Sequence, residues 1–208
     1  MRIQTQREEL WNTITHGVGA ILGIIALTLL IIKDTEKTTY SLASVIVYGL
    51  SIIILFSAST TYHYIKDQKR KHTFRIIDHI SIYLLIAGTY TPVLLITLEQ
   101  SLGWILFAVV WGIAAFGVVL KMFFTGRFNI FSTLLYLIMG WLIVFDFSQL
   151  KVLVPTKGIT LLILGGVSYT IGIIFYVLEK KTFFHVIWHL FVLVGAIFHF
   201  LMVYWFVV

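Results

Sequence analysis

The sequence predicts an all-α membrane protein, a single domain of seven transmembrane helices covering residues 1–208. Three observations lead there. Mean hydropathy is +1.00, with 60% of residues apolar and only 12% charged, whereas a soluble domain carries about a quarter charged residues. The charges are clustered, and the apolar runs between them reach the roughly 20 residues that a helix needs to cross a bilayer. Those runs are continuous rather than alternating, which suits helices and excludes barrel strands.

Charged or turn-rich breaks set the spans at residues 14–32, 40–65, 76–98, 102–122, 128–147, 158–178 and 184–207. The breaks are short: "KDTEKTT", "KDQKRKHTFR", "EQS", "FFTGR", "SQLKVLVPTK" and "EKKTF". The narrowest, at 99–101, leaves open a re-entrant unit in place of spans three and four. The first run is too long for a signal-peptide core and lacks a small-residue cleavage site, so it is expected to be retained. Gly19 and Gly23 in "GAILG" have the spacing of close helix packing.

Lysine and arginine give the orientation. The N-terminus with the second, fourth and sixth connections holds 11 of them, counting Lys121 at the end of span four, and the first, third and fifth connections hold 4. Cytoplasmic loops carry the excess. The N-terminus, with a short lead-in at 1–13, is therefore expected inside and the C-terminus outside. Trp11, Trp104 and Trp205 sit near span ends, where interface-preferring rings belong. The net charge of +6 is read as topogenic, not as a nucleic-acid footprint. There is no cysteine, which excludes disulfides and thiolate metal ligands.

The candidate chemistry gathers at one end. His63 closes span two in "SASTTYHYIK", Asp78 opens span three in "RIIDHISIY", and His185 and His189 open span seven in "FFHVIWHLF". The end of an even span and the start of an odd one face the same side, whichever way the chain is inserted. On a rise of about 1.5 Å per residue, His63 and Asp78 lie roughly 5 Å inside Lys66 and Arg75, and His185 and His189 roughly 6 and 12 Å beyond Lys181. All four share one shallow layer.

Residue type gives that layer a function. His185 and His189, four apart, share a helix face with Cβ atoms about 6 Å apart, a spacing that can grip one ion. A third imidazole from His63 completes a three-histidine set, which leaves a tetrahedral Zn²⁺ one open position for water. Asp78 could orient that water, act as general base, or fix a ligand's tautomer. Ser59, four residues before His63 on the same face, could donate to a water or an oxyanion.

Each residue alone has a plainer reading. A lone membrane histidine is as a rule a hydrogen-bonded packing residue, Ser59 a small residue easing helix contact, and Asp78 a partner for Arg75. Their coincidence in one layer favours a metal site. His16, at the same end of span one, is the reserve ligand. His79 points about 100° away from Asp78 around its helix, His72 sits in a basic connection, and His199 lies deeper, as a packing or hydrogen-bonded residue. Asp146 is expected at the interface, at the outer end of span five.

At these residues the chain resembles the hemolysin III group, bacterial relatives of the progestin and adipoQ receptors within a superfamily that also holds the alkaline ceramidases. The resemblance rests on Ser59-x3-His63, Asp78 and His185-x3-His189, on Glu9, Asn12, Thr15 and His16 in "EELWNTITH", and on Gly88 and Pro92 near "GTYTP". It covers essentially the whole chain. It implies seven helices with a cytoplasmic N-terminus, zinc on His63, His185 and His189, and Asp78 and Ser59 beside the metal's water. Similar members are lipid-amide hydrolases, and animal members act as receptors.

The expected function is thus a zinc-dependent hydrolase of the cell membrane, acting on a lipid amide or ester in the inner leaflet, with a membrane lipid as substrate or ligand. No nucleic acid and no soluble protein partner is expected. Two alternatives stay open: a receptor or signalling module with a structural zinc whose fourth ligand is Asp78 or His16, and a pore-forming haemolysin.

Overall fold

The computed structural model describes residues 4–208. Helix α1 covers Gln6–Lys33, α2 Ser41–Tyr64 and α3 Gln68–Pro92, which runs on through a π-helical turn at Val93–Thr97. Helix α4 is Gly103–Phe124 and α5 Asn129–Gly140; a 3-10 turn at Leu142–Asp146 leads into α6, Phe147–Leu153. Helices α7, Thr156–Val177, and α8, Phe184–Phe206, complete the chain. No strand occurs among the described residues. Seven of these units are long and apolar enough to cross a membrane, α5 through α6 making the fifth. The bundle is the one the hydropathy pattern predicts.

Three boundaries differ from the expected ones, each for a polar reason. Helix α1 begins at Gln6, within the expected lead-in at 1–13, because Thr5 and Glu8 form a capping box. Helix α3 begins at Gln68, eight residues early, because Asp67 accepts from Arg70 N at 2.9 Å and so caps a basic stretch read as a loop. A helix need not stop where the apolar run stops. The fifth span extends to Leu153 past a break that hides its continuity. Spans three and four are separate helices. The turn between them requires Gly103, whose added Cβ would sit 2.2 Å from the Leu94 carbonyl oxygen.

Packing follows chain order and then closes: α1 lies on α2, α2 on α3, α3 on α4, α7 on α8, and α1 also on α8. Glycines bring the first three helices close. A Cβ at Gly19 would meet the Phe56 ring at 2.5 Å, and one at Gly88 would meet Ser51 Oγ at 2.2 Å. The buried stripe of α1 is Glu8, Asn12, His16, Gly19, Gly23, Ala26 and Leu30. This three-and-four spacing is that of a single helix face. Its first three residues are polar, and they point at the ends of α2 and α8.

Candidate metal centre

Local bonding places α8 against α1. The Glu8 carboxylate accepts from Thr5 N at 2.8 Å and, across the bundle, from Phe183 N at 2.7 Å. Phe183 precedes α8 with φ +63°, and Glu8 takes up an N–H that the start of a helix would leave unpaired. His185 and His189 follow within two turns. At the far end, Lys37 Nζ donates to the Val207 carbonyl at 2.9 Å.

His63, His185 and His189 meet. Their ring centroids lie 4.7–5.3 Å apart, and one ring nitrogen from each falls within 4.8 Å of the others. All three residues are buried. The group could hold a metal ion. Zinc bound at about 2.0–2.1 Å in a tetrahedron sets its nitrogens about 3.3 Å apart, so a small inward movement of the rings would close the set.

The bonding around the rings fits such an ion. His63 Nδ1 is engaged by Glu9 Oε2 at 2.6 Å, whose other oxygen accepts from Lys71 Nζ at 2.7 Å. A carboxylate on the far nitrogen fixes the tautomer and orientation of a metal-binding imidazole. The near nitrogen, His63 Nε2, is buried with no protein partner, as are Nδ1 of His185 and of His189. Burying a polar atom without a hydrogen bond costs roughly 1–3 kcal/mol. His63, its far nitrogen held by Glu9 and its other one partnerless, is set up as a ligand, and His185 and His189 each carry a further buried nitrogen without a hydrogen bond. Glu179 Oε2 stands 3.3 Å from His185 Nδ1, close enough for electrostatic support, though the pair is not aligned as a hydrogen bond.

Beside the rings lies a cavity of about 20 Å³ whose wall includes Ser59, Asp78, His79, His185 and His189. That volume suffices for about one water. Ser59 Oγ is buried next to the Asp78 carboxyl with no hydrogen bond within 3.5 Å, and Asp78 is half-buried with no ion pair to Arg75 within 4 Å. The cavity shares Leu55, Ile82, Trp188 and Val192 with a larger one of about 90 Å³. That in turn shares Tyr90, Trp141 and His199 with a third of about 280 Å³ in the opposite half of the bundle. The file is mostly apolar.

The chain matches the family model "Haemolysin-III related" over residues 4–200. It belongs to the haemolysin III family. Among relatives, "Hemolysin-3" of Bacillus cereus is 49% identical over 194 residues, covering 93% of this chain and 89% of the relative. The "Hemolysin-3 homolog" of Bacillus subtilis (strain 168) is 45% identical over 193 residues, 92% of this chain and 91% of the relative. The human "Monocyte to macrophage differentiation factor" is 30% identical over 205 residues, 91% of this chain and 80% of that protein. As a haemolysin III protein with seven apolar helices, the chain is a multi-pass protein of the cell membrane.

The remaining polar residues sort by geometry. His16 stacks on His189 at 3.6 Å with both its nitrogens buried and unpartnered, but it lies outside the three-residue set. His79 Nδ1 donates to the Arg75 carbonyl at 2.7 Å, and His199 Nε2 bonds the Leu162 carbonyl at 3.2 Å. His72 is exposed, but on the first turns of α3 rather than in a loop. Asp146 is buried and accepts from Ser101 Oγ at 2.9 Å and Leu102 N at 3.0 Å, anchoring the α3–α4 turn.

Sequence reasoning gave Glu8 and Glu179 no part and Glu9 no role of its own. Glu8 had a signal, the four-residue spacing Glu8, Asn12, His16 along one face. Glu179 had none.

Proposed function

We propose that this haemolysin III protein is a zinc-dependent membrane hydrolase that cleaves an amide or ester linkage of a membrane lipid at the cytoplasmic end of the bundle. One observation carries the reading: three buried imidazoles, with one nitrogen of each within 4.8 Å of the others, converge beside a water-sized cavity that also holds Ser59 and Asp78. His63, His185 and His189 would hold the ion. Zinc there would polarise a substrate carbonyl and make a water acidic near neutral pH.

The chain's own groups supply the rest. Asp78 takes the proton of the attacking water, whose oxygen bonds to the carbonyl carbon. Ser59 Oγ–H donates to the carbonyl oxygen as negative charge develops there. The bond from carbon to nitrogen or oxygen then breaks, and the leaving amine or alcohol takes the proton that Asp78 holds. The apolar file of cavities gives the acyl chain a place away from water. A closed structural zinc would need a fourth protein ligand, and neither Asp78 nor His16 belongs to the nitrogen set, which supports the hydrolase over the receptor alternative.

The test is metal analysis of the purified protein, paired with hydrolysis assays on a long-chain ceramide and on a phospholipid ester. The proposal expects about one zinc per chain, and turnover of one substrate that is lost in Asp78→Ala with zinc retained. Normal zinc in both His63→Ala and His189→Ala would overturn the ligand set. X-ray absorption showing a fourth protein ligand, with no turnover, would favour a structural metal.

A further inference from the structure

The α3–α4 contact holds a buried lysine, Lys121, about one turn from the half-buried Arg75. Tyr83 of α3 packs where a Cβ on Gly117 of α4 would sit 2.3 Å from its ring, and the Arg75 guanidinium lies against Gly126, whose Cβ would be 3.7 Å from Nη2. The helices are antiparallel neighbours, so this register sets Lys121 level with His79, about one turn from Arg75. Lys121 is 1% exposed. The charge that acts on it is the Arg75 guanidinium, another cation. Arg75 Nε is itself buried with no acceptor.

The carboxylates of this end are spent elsewhere. Glu9 holds His63 and Lys71, Asp67 caps α3, Glu8 takes Phe183 N, and Glu179 faces His185. Asp78 feels the field of Arg75, but the described residues show no ion pair between them within 4 Å. Among the described residues Lys121 meets no carboxylate within that distance.

A buried ion without a partner costs several kcal/mol. A lysine at the end of a span ordinarily escapes by reaching out to water, and at 1% exposure Lys121 has little room to do so. Charged groups held inside a membrane segment mark ligand sites. Gly126, with φ +86°, turns the chain after α4 against the Arg75 fork.

We infer that Arg75 and Lys121 form a binding site for a phosphate-type anion between α3, α4 and the turn that follows α4. The guanidinium offers a planar fork matched to two phosphate oxygens, and the ammonium a point charge behind it. Pockets of this kind between membrane helices take lipid headgroups, and inorganic phosphate presents the same oxygens.

Native mass spectrometry of the purified full chain, offered phosphatidylglycerol or phosphatidylcholine, tests the site. Phosphatidylglycerol should be retained preferentially, and Lys121→Met and Arg75→Gln should each weaken that retention about tenfold or more, the loss of a charged hydrogen bond. Lys180→Gln with Lys181→Gln, exposed at the same end, should change it far less. Millimolar phosphate that displaces the lipid and raises the melting temperature identifies a general anion site. Phosphate without effect, alongside selective lipid retention, identifies a headgroup site.

Equal retention of both lipids with no phosphate response would overturn the inference, as would an equal loss in the Lys180/Lys181 variant. If Lys121→Met fails to fold, the wild-type lipid preference and phosphate response still decide. Hydrolysis is not read in this experiment, so its outcome is separate from that of the proposed enzyme function.

Discussion

Two layers of buried polar groups sit at opposite ends of the same bundle, and they are finished differently. At one end, Nε2 of His63, Nδ1 of His185 and of His189, and Oγ of Ser59 have no protein partners. At the other, Asp146 accepts two hydrogen bonds, and the Tyr90 hydroxyl both donates to the Gly140 carbonyl at 2.9 Å and accepts from Ile143 N at 3.0 Å. Native interiors satisfy nearly all of their buried polar atoms. The satisfied cluster at Asp146 and Tyr90 therefore reads as structure, even though Ser44 Oγ, Tyr48 OH and His199 Nδ1 elsewhere in that half lack partners, and the histidine cluster reads as a place for something the chain does not itself contain.

The contrast breaks most severely if the unsatisfied layer holds no metal. Replacing His63 or His189 by Ala should abolish tight zinc binding, measured as zinc per chain after dialysis against chelator, and any hydrolysis with it. The opposite layer should respond in stability instead. Asp146→Ala leaves the Leu102 N–H and the Ser101 hydroxyl without their carboxylate, a loss of about 1.5–3 kcal/mol for bonds to a charged group. Thermal melting in detergent should register it, while zinc content stays at the wild-type value. A drop in zinc in this variant would mean that the two ends are not separable.

Glu9→Gln sharpens the comparison from within the metal layer. The carboxylate bonds His63 Nδ1 at 2.6 Å, and removing such a support weakens metal affinity about 10–100-fold. Zinc should still bind when supplied in excess. Competition with a chromophoric chelator measures the shift, and an unchanged affinity would reduce Glu9 to a surface partner of Lys71.

How far the sequence reveals these layers depends on the range of the interaction. The seven spans are legible because hydropathy is local, and the shared depth of His63, Asp78, His185 and His189 follows from helix rise and span parity alone. The basic first turns of α3 are not, since a cap at Asp67 extends a helix beyond its apolar run. The partners of Asp146 are hidden because its donors, Ser101 and Leu102, come from another part of the chain, and no periodicity reports a bond across 44 residues. Glu179 escapes for the same reason: its relation to His185 depends on how the chain turns before α8. Lys121 looks like a topogenic charge until the packing of α3 shows it enclosed.

The smallest effect tests the satisfied layer at its most local point. The fifth span breaks between Gly140 and Leu142 with no proline, and a side chain inserted into the backbone ladder is a known cause of such breaks. Tyr90 of α3 is that side chain, bonding the carbonyl before the break and the N–H within it. Tyr90→Phe keeps the ring and removes both bonds, at a cost of about 1 kcal/mol. Thermal melting should fall by a few degrees while zinc binding is untouched. If the Phe variant melts with the wild type, water or a relaxed backbone satisfies those groups without help. Protein partners would then no longer distinguish the Asp146–Tyr90 cluster from the metal-binding one.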